Sequence, residues 1–177
     1  MKIAVLDIET TGFNPYRDCI LEIGIVELCL DTGNKKIIYN KTIKEEHYSE
    51  SHKGAWIFSN SDLSHETILD SSPLNKNEIQ EILDNYQVTA YNKKFDFSFL
   101  KARGLSINEL PCPMLIATSI CKLPKRNGYG YKWPKVPEAH YYLFKDETYV
   151  ESHRGAEDAM DEASIVYELY KLGKFNI

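Results

Sequence analysis

Residues 5–12 read V-L-D-I-E-T-T-G. Asp7 and Glu9 stand two apart, so on a strand both side chains project from one face. Strand interiors disfavour acids, and neighbouring carboxylates repel each other. Two arrangements relieve that repulsion. Lys or Arg neighbours can pair with the acids, or a hard divalent cation can take them as oxygen ligands. Three further residues bear on the choice. Asp96 lies in N-K-K-F-D-F-S-F-L, between Phe95 and Phe97 and one turn into an expected helix. His153 and Asp158 lie in H-R-G-A-E-D-A-M-D, where the last helix is expected to begin. Each has an ordinary reading when taken singly: a surface Asp on a helix, a structural His. Brought together at a strand end, the acids could hold a cation. A histidine beside them could accept a proton near neutral pH.

The elements that must position these residues follow from periodicity. Residues 2–8 form a short apolar run suited to a buried strand. Residues 20–30 (I-L-E-I-G-I-V-E-L-C-L) read as a second strand, with Gly24 marking a bulge. Asp31-Thr32-Gly33-Asn34 is a hairpin turn, and residues 36–43 return as a third strand. The first three strands are therefore expected to be an antiparallel meander. Ser61 or Asp62 is the expected cap of a short helix ending near Leu69. Residues 75–86 place Ile79, Ile82 and Leu83 on one helical face. A short strand at 88–91 precedes a helix at 93–103, which Gly104 ends. A run at 114–121 and helices near 136–145 and 154–172 complete the chain. No repeat or linker divides residues 1–177, so one domain with a mixed sheet and flanking helices is expected.

The balance of 21 Lys and Arg against 26 Asp and Glu gives a net charge of −5. That argues against sequence-independent coating of a duplex, which needs a basic surface. It leaves room for an enzyme that grips a few phosphates. The four cysteines form no C-x-x-C pair and have no histidine cluster beside them in sequence, so no zinc site is expected. No apolar run is long enough for a membrane span, and the N-terminus runs straight into a strand without a signal peptide. A cytoplasmic protein with reduced thiols is the expectation.

Three blocks in order, L-D-I-E-T-T-G with I-L-E-I-G-I-V, then N-K-K-F-D-F-S-F-L, then H-R-G-A-E-D-A, resemble the DnaQ-like 3′-5′ exonucleases of the DEDDh group. That family holds the epsilon proofreading subunit of DNA polymerase III. The blocks span residues 5–163, and the His-x4-Asp spacing of His153 and Asp158 marks the His subtype. The resemblance implies a ribonuclease-H-like, mixed five-stranded sheet with the acids at its strand ends. It implies that Asp7, Glu9 and Asp158 hold one divalent ion. Asp7 bridges to a second ion supported by Asp96, and His153 is the general base. Two such ions, Mg²⁺ with Mn²⁺ as substitute, suit phosphodiester hydrolysis. Asp161 competes for a place, but the spacing from His153 favours Asp158.

The resemblance also assigns the loop Thr10-Thr11-Gly12 to the terminal nucleotide. Phe13 is either a wedge against the last base or a core residue. Asn92 is a sugar or phosphate contact, a helix cap, or both. The loop Y-G-Y-K-W-P-K at 129–135 interleaves Tyr129, Tyr131 and Trp133 with Lys132, a pairing suited to single strands. Its alternative is a structural loop with Trp133 under the following helix. Relatives commonly carry His where Tyr91 stands and an acid where the chain reads P-C-P-M; both departures bear on substrate fit. The implied function is release of nucleoside 5′-monophosphates from single-stranded or frayed 3′ ends, DNA ahead of RNA. A polymerase or another replication or repair protein is a candidate partner. The rivals are an RNA-trimming enzyme and a binding module that has lost catalysis. The second rival predicts damage to an acid, and all four acids are present.

Overall fold

The computed structural model describes residues 1–177. Three strands, β1 (Lys2–Thr10), β2 (Ile20–Cys29) and β3 (Lys35–Thr42), form the expected antiparallel meander. A two-residue strand β4 (Val88–Thr89) joins β1 in parallel, giving the order β3-β2-β1-β4. The helices are α1 (His65–Leu69), α2 (Lys76–Asn85), α3 (Lys93–Ala102), α4 (Pro113–Cys121), α5 (Val136–Phe144) and α6 (Gly155–Lys171). Two 3₁₀ turns, Glu50–His52 and Trp56–Ser59, lie between β3 and α1.

The sheet has four strands, not five. Where a fifth would pair, Val88 donates to Asn108 O and accepts from Leu110 N, both at 2.8 Å, and pairing stops at that bridge. Pro111 and Pro113 follow, and a proline has no N–H to continue a ladder. Other expectations shift locally. Ser64, not Ser61 or Asp62, caps α1 by accepting from Thr67 N at 3.0 Å. The register shift in β2 falls between Ile25 and Val26, one residue past Gly24.

Strand alternation builds two cores. Ala4, Leu6, Ile8, Ile23 and Ile25 face α2 and α3 and bury there with Ile79, Leu83, Phe97 and Leu100. Ile3, Val5, Val26 and Leu28 face the other way, against Ala159, Ala163, Val166 and Leu169 of α6 and parts of α4 and α5. The cross-strand pairs on the α6 face are Ile3 with Leu28, Val5 with Val26, Asp7 with Gly24, and Glu9 with Glu22. This face is therefore apolar for half its length and acidic for the rest. The change falls where the first turns of α6 cross it. Gly24 makes that crossing possible, because a Cβ there would collide with the backbone of Gly155 and Ala156.

Candidate active site

The acids of β1 meet the start of α6. Ligand atoms of Glu9, His153 and Asp158 all lie within 4.8 Å of one another. Asp158 is buried, and its Oδ1 accepts from Ser152 N at 3.1 Å and Ser152 Oγ at 2.9 Å. Asp96, in the first turn of α3, is buried beside them. Asp7 Oδ2 and Asp96 Oδ1 are both buried without a hydrogen-bond partner. Burying a carboxylate oxygen unpaired is costly, and a cation offsets that cost.

The electrostatics agree. Desolvation, followed by repulsion from Glu162, Glu9, Asp96 and Asp158, holds the Asp7 carboxyl well above its usual range. Desolvation and the charges of Asp158 and Glu22 push Glu9 up to about 9. Burial lifts Asp96 to about 7 and Glu151, also near Asp158, to about 7. Asp158 is raised by burial too, against the bonds from Ser152. So many acids cannot ionise together in a dry site unless positive charge joins them.

Glu162, one turn past Asp158, is a member of this cluster that sequence reasoning missed. It is buried, and its Oε2 accepts from Tyr91 N at 3.0 Å. Burial and the nearby Asp96 hold its carboxyl well above the usual range. The signal was available: Asp158 and Glu162 are four apart, so they share a helix face. Asp161 faces elsewhere, with Lys35 and Tyr149 among the groups its charge affects.

His153 stands two residues before the start of α6 with φ of +53°, a left-handed backbone that side chains seldom adopt. Trp56 stands edge-on to its ring, 4.9 Å between centroids. The next residue fixes the turn. Arg154 grips Glu22 through Nε and a terminal nitrogen, at 3.0 and 2.8 Å, and Gly155 N donates to Glu22 Oε2 at 2.9 Å. Arg154 also reaches Asp62 at 2.6 Å, tying in the segment that carries Trp56. Neither Trp56 nor Arg154 was singled out from the sequence. Glu22, an acid in the apolar run I-L-E-I-G-I-V, was the visible hint.

Thr10 Oγ donates to Gly12 O at 2.7 Å, and Thr11 Oγ accepts from Cys19 N at 2.9 Å. A Cβ on Gly12 would strike the Asp18 carboxylate. The loop is held from behind by Arg103, which donates to Pro15 O, to Asp18 O at 2.7 Å and to both Glu45 oxygens. In front of it lies a cleft of about 450 Å³ lined by Ile8, Glu9, Phe13, Trp56, Ile57 and Phe95, with Thr10, Thr11 and Gly12 at its edge. Phe13 is 90% exposed, so its alternative as a core residue fails. Its ring meets Phe95 edge-on at 6.1 Å.

A family model described as an exonuclease, RNase_T, matches residues 4–166. The chain belongs to this exonuclease family. DEDDh-type members of the family are 3′-5′ nucleases that use divalent metal ions. Within this exonuclease a 37-residue stretch is 51% identical to Ribonuclease T of Wigglesworthia glossinidia brevipalpis, covering 21% of this chain and 17% of that protein. A full-length 3′-exonuclease superposes with a TM-score of 0.67 at 14% identity, over 98% of this chain and 62% of its own. The nuclease domain of 3′hExo, a DEDDh family member bound to rAMP, gives 0.63 at 14% identity, over 99% and 96%. Exonuclease I of E. coli in complex with a dT13 oligonucleotide gives 0.69 at 10% identity, over 97% and 42%. The chain thus spans less than two thirds of several of these relatives, and at such identities the likeness is one of fold. No helix of this exonuclease is long and apolar enough to cross a membrane.

The remaining expected residues divide. Asn92 stands at the N-cap position of α3, yet its side chain makes no capping bond, and it is exposed. Its amide is therefore unspent. The loop at 125–135 is pinned into a narrow hairpin by Lys132 N to Leu123 O at 2.9 Å and Lys125 N to Gly130 O at 3.2 Å. Tyr129, Tyr131, Lys132 and Trp133 do not line the cleft beside the acids, and Lys132 is paired with Glu138. Trp133 is 64% exposed, so it does not pack under α5 as its structural alternative required.

Proposed function

We propose that this chain removes nucleotides one at a time from single-stranded 3′ ends and releases nucleoside 5′-monophosphates. The observation that supports this reading best is the pair of orphaned, buried carboxylate oxygens on Asp7 and Asp96, beside Glu9, Asp158 and His153. Such donors fit hard divalent cations, Mg²⁺ or Mn²⁺. Asp7, Glu9 and Asp158 would hold them, with Asp96 in support and Glu162 as a further buried acid. Divalent ions held there would supply stabilisation of the charge on the phosphodiester oxygens.

The chain's own side chains do the rest. His153 takes the proton of the attacking water. Trp56 limits the ring's swing. The last nucleoside enters the cleft with its base between Phe13 and Trp56, and the Thr10–Gly12 backbone meets its sugar. Asn92 and the 129–133 loop take the strand behind it. The cleft walls are mainly apolar, and the Thr10 and Thr11 hydroxyls are already bonded to backbone. A 2′-hydroxyl gains little there, which favours DNA over RNA.

The stretch resembling Ribonuclease T favours a second reading, with RNA as substrate. One experiment separates the two. Matched DNA and RNA oligomers, labelled at the 5′ end, are digested with Mg²⁺, with Mn²⁺ and with EDTA. A ladder that shortens from the 3′ end and stops with EDTA supports the proposal. Faster loss of the RNA oligomer transfers it to the second reading. Cleavage that survives EDTA overturns both.

A further inference from the structure

A second group of metal-binding side chains lies on the far side of the Thr10–Asp18 loop. We infer that Cys19, His47 and His52 form a site for one thiophilic divalent cation, of the zinc class, separate from the carboxylate cluster. In sequence these residues look unrelated, which is why spacing gives no hint of them. The fold brings the segment after β3 back over the start of β2. Sγ of Cys19, a ring nitrogen of His47 and an oxygen of Glu45 lie within 4.8 Å of one another. Nε2 of His52 lies 4.0 Å from the same sulfur.

Three features support a site rather than chance packing. Adjacent S and N ligands on tetrahedral zinc are about 3.6 Å apart, given the usual bond lengths, so the 4.0 Å Cys19–His52 contact is near closure, while the exposed His47 ring, 6.4 Å from that of His52, turns inward to join it. His52 is oriented from behind. Its ring stacks on Tyr48 at 5.3 Å, and its Nδ1 lies 3.2 Å from Ser49 O. Nδ1 also accepts from Ser49 N at 3.1 Å, so an ion at Nε2 requires the ring proton to move to Nδ1 and exchange that bond for one to Ser49 O, the arrangement of most histidine metal ligands. His47 is exposed and gives an ion a way in to the buried thiol. Glu45 borders the fourth position, but both its oxygens already accept bonds, from Arg103 and Ile20 N. Water completes the set.

A thiolate and two imidazoles prefer zinc to magnesium, whereas the carboxylate cluster prefers the reverse. Binding releases the thiol proton. Its effect is structural. Cys19 is bonded through its backbone to Thr11, and His47 and His52 lie on the segment leading to Trp56. The ion therefore ties together the two walls of the substrate cleft.

The test uses the full chain, stripped of metal and titrated with Co²⁺. A near-ultraviolet thiolate-to-cobalt absorption that saturates at one equivalent and is bleached by Zn²⁺ is expected, because carboxylates cannot produce it. It should persist in the Glu9→Gln/Asp158→Asn double variant. It should vanish in Cys19→Ser and weaken at least about tenfold in affinity in His47→Ala, since losing even a group that only orients a ligand costs about 10–100-fold. His47 is exposed, so that variant keeps the test valid if Cys19→Ser fails to fold. Absence of the band in the parent chain, or a band unchanged in His47→Ala, overturns the inference.

Discussion

Glu9 and Glu22 face each other across the β1–β2 ladder, and both point toward the start of α6. Like charges directly opposite on a sheet destabilise it. Here one member is neutralised by protein and the other is left for something else. Glu22 is 1% exposed and belongs to Arg154. Glu9 has no cationic side chain, and its carboxyl is raised to about 9. The sheet thus uses one acid to seat the helix and leaves its twin without a cationic partner.

Removing Arg154 should expose that division. Arg154→Ala strands Glu22 as an uncompensated buried charge, which costs about 3 kcal/mol or more. Urea unfolding of the metal-free protein should register this loss. The Arg154→Ala/Glu22→Gln pair should recover most of it. Exonuclease activity should fall in the single variant beyond its effect on folding, because the turn that aims His153 loses its anchor.

The raised carboxyls set the sign of a pH effect. An acid whose pKa is higher folded than unfolded binds its proton more tightly when folded. Its contribution is therefore present below the unfolded value and is lost as pH rises. For Glu9 the window runs from 4.5 to about 9. For Asp96 it runs from 3.8 to about 7. The metal-free protein should lose thermal stability steadily from pH 5 to 9. Saturating Mn²⁺ should flatten that slope, and Asp7→Asn should reduce it without any metal.

His153 and Trp56 should separate kinetically. His153→Ala should lower kcat about 100- to 10,000-fold, the range for loss of a general base, with Mn²⁺ affinity by calorimetry changed little. Trp56→Ala should raise KM about tenfold, since stacking is worth about 1–3 kcal/mol per base. It should lower kcat less, and Trp56→Phe should restore most of both.

Gly24→Ala puts a methyl group into the backbone of Gly155 and Ala156. Overpacking a rigid contact costs about 1–3 kcal/mol or more. The variant should melt lower. Its surviving folded fraction should bind Mn²⁺ weakly, because Asp158 is displaced from Glu9.

Much of this was legible in the chain because the informative residues contradict their local setting. Asp7 and Glu9 break an apolar strand, and that period-two pattern gave the correct face. The end of α3 followed from Gly104. What remained hidden depends on contacts between distant segments. Glu162 looks like one more helix-surface acid until Tyr91 N is found bonded to it. Trp56 lies in a polar stretch without periodicity, and only the fold brings it to His153. The fifth strand failed for a local reason, Pro111 and Pro113, that the family pattern masked.

The prolines after Glu109 have another effect. They close one margin of the sheet, and Lys35, Lys36 and Lys41 line the other, on β3. A margin interrupted by prolines, and one crowded with ammonium groups, both discourage strand-to-strand accretion between molecules. Any protein that recruits this nuclease must then grip its helices or loops, leaving the acidic end of β1 open while it does so.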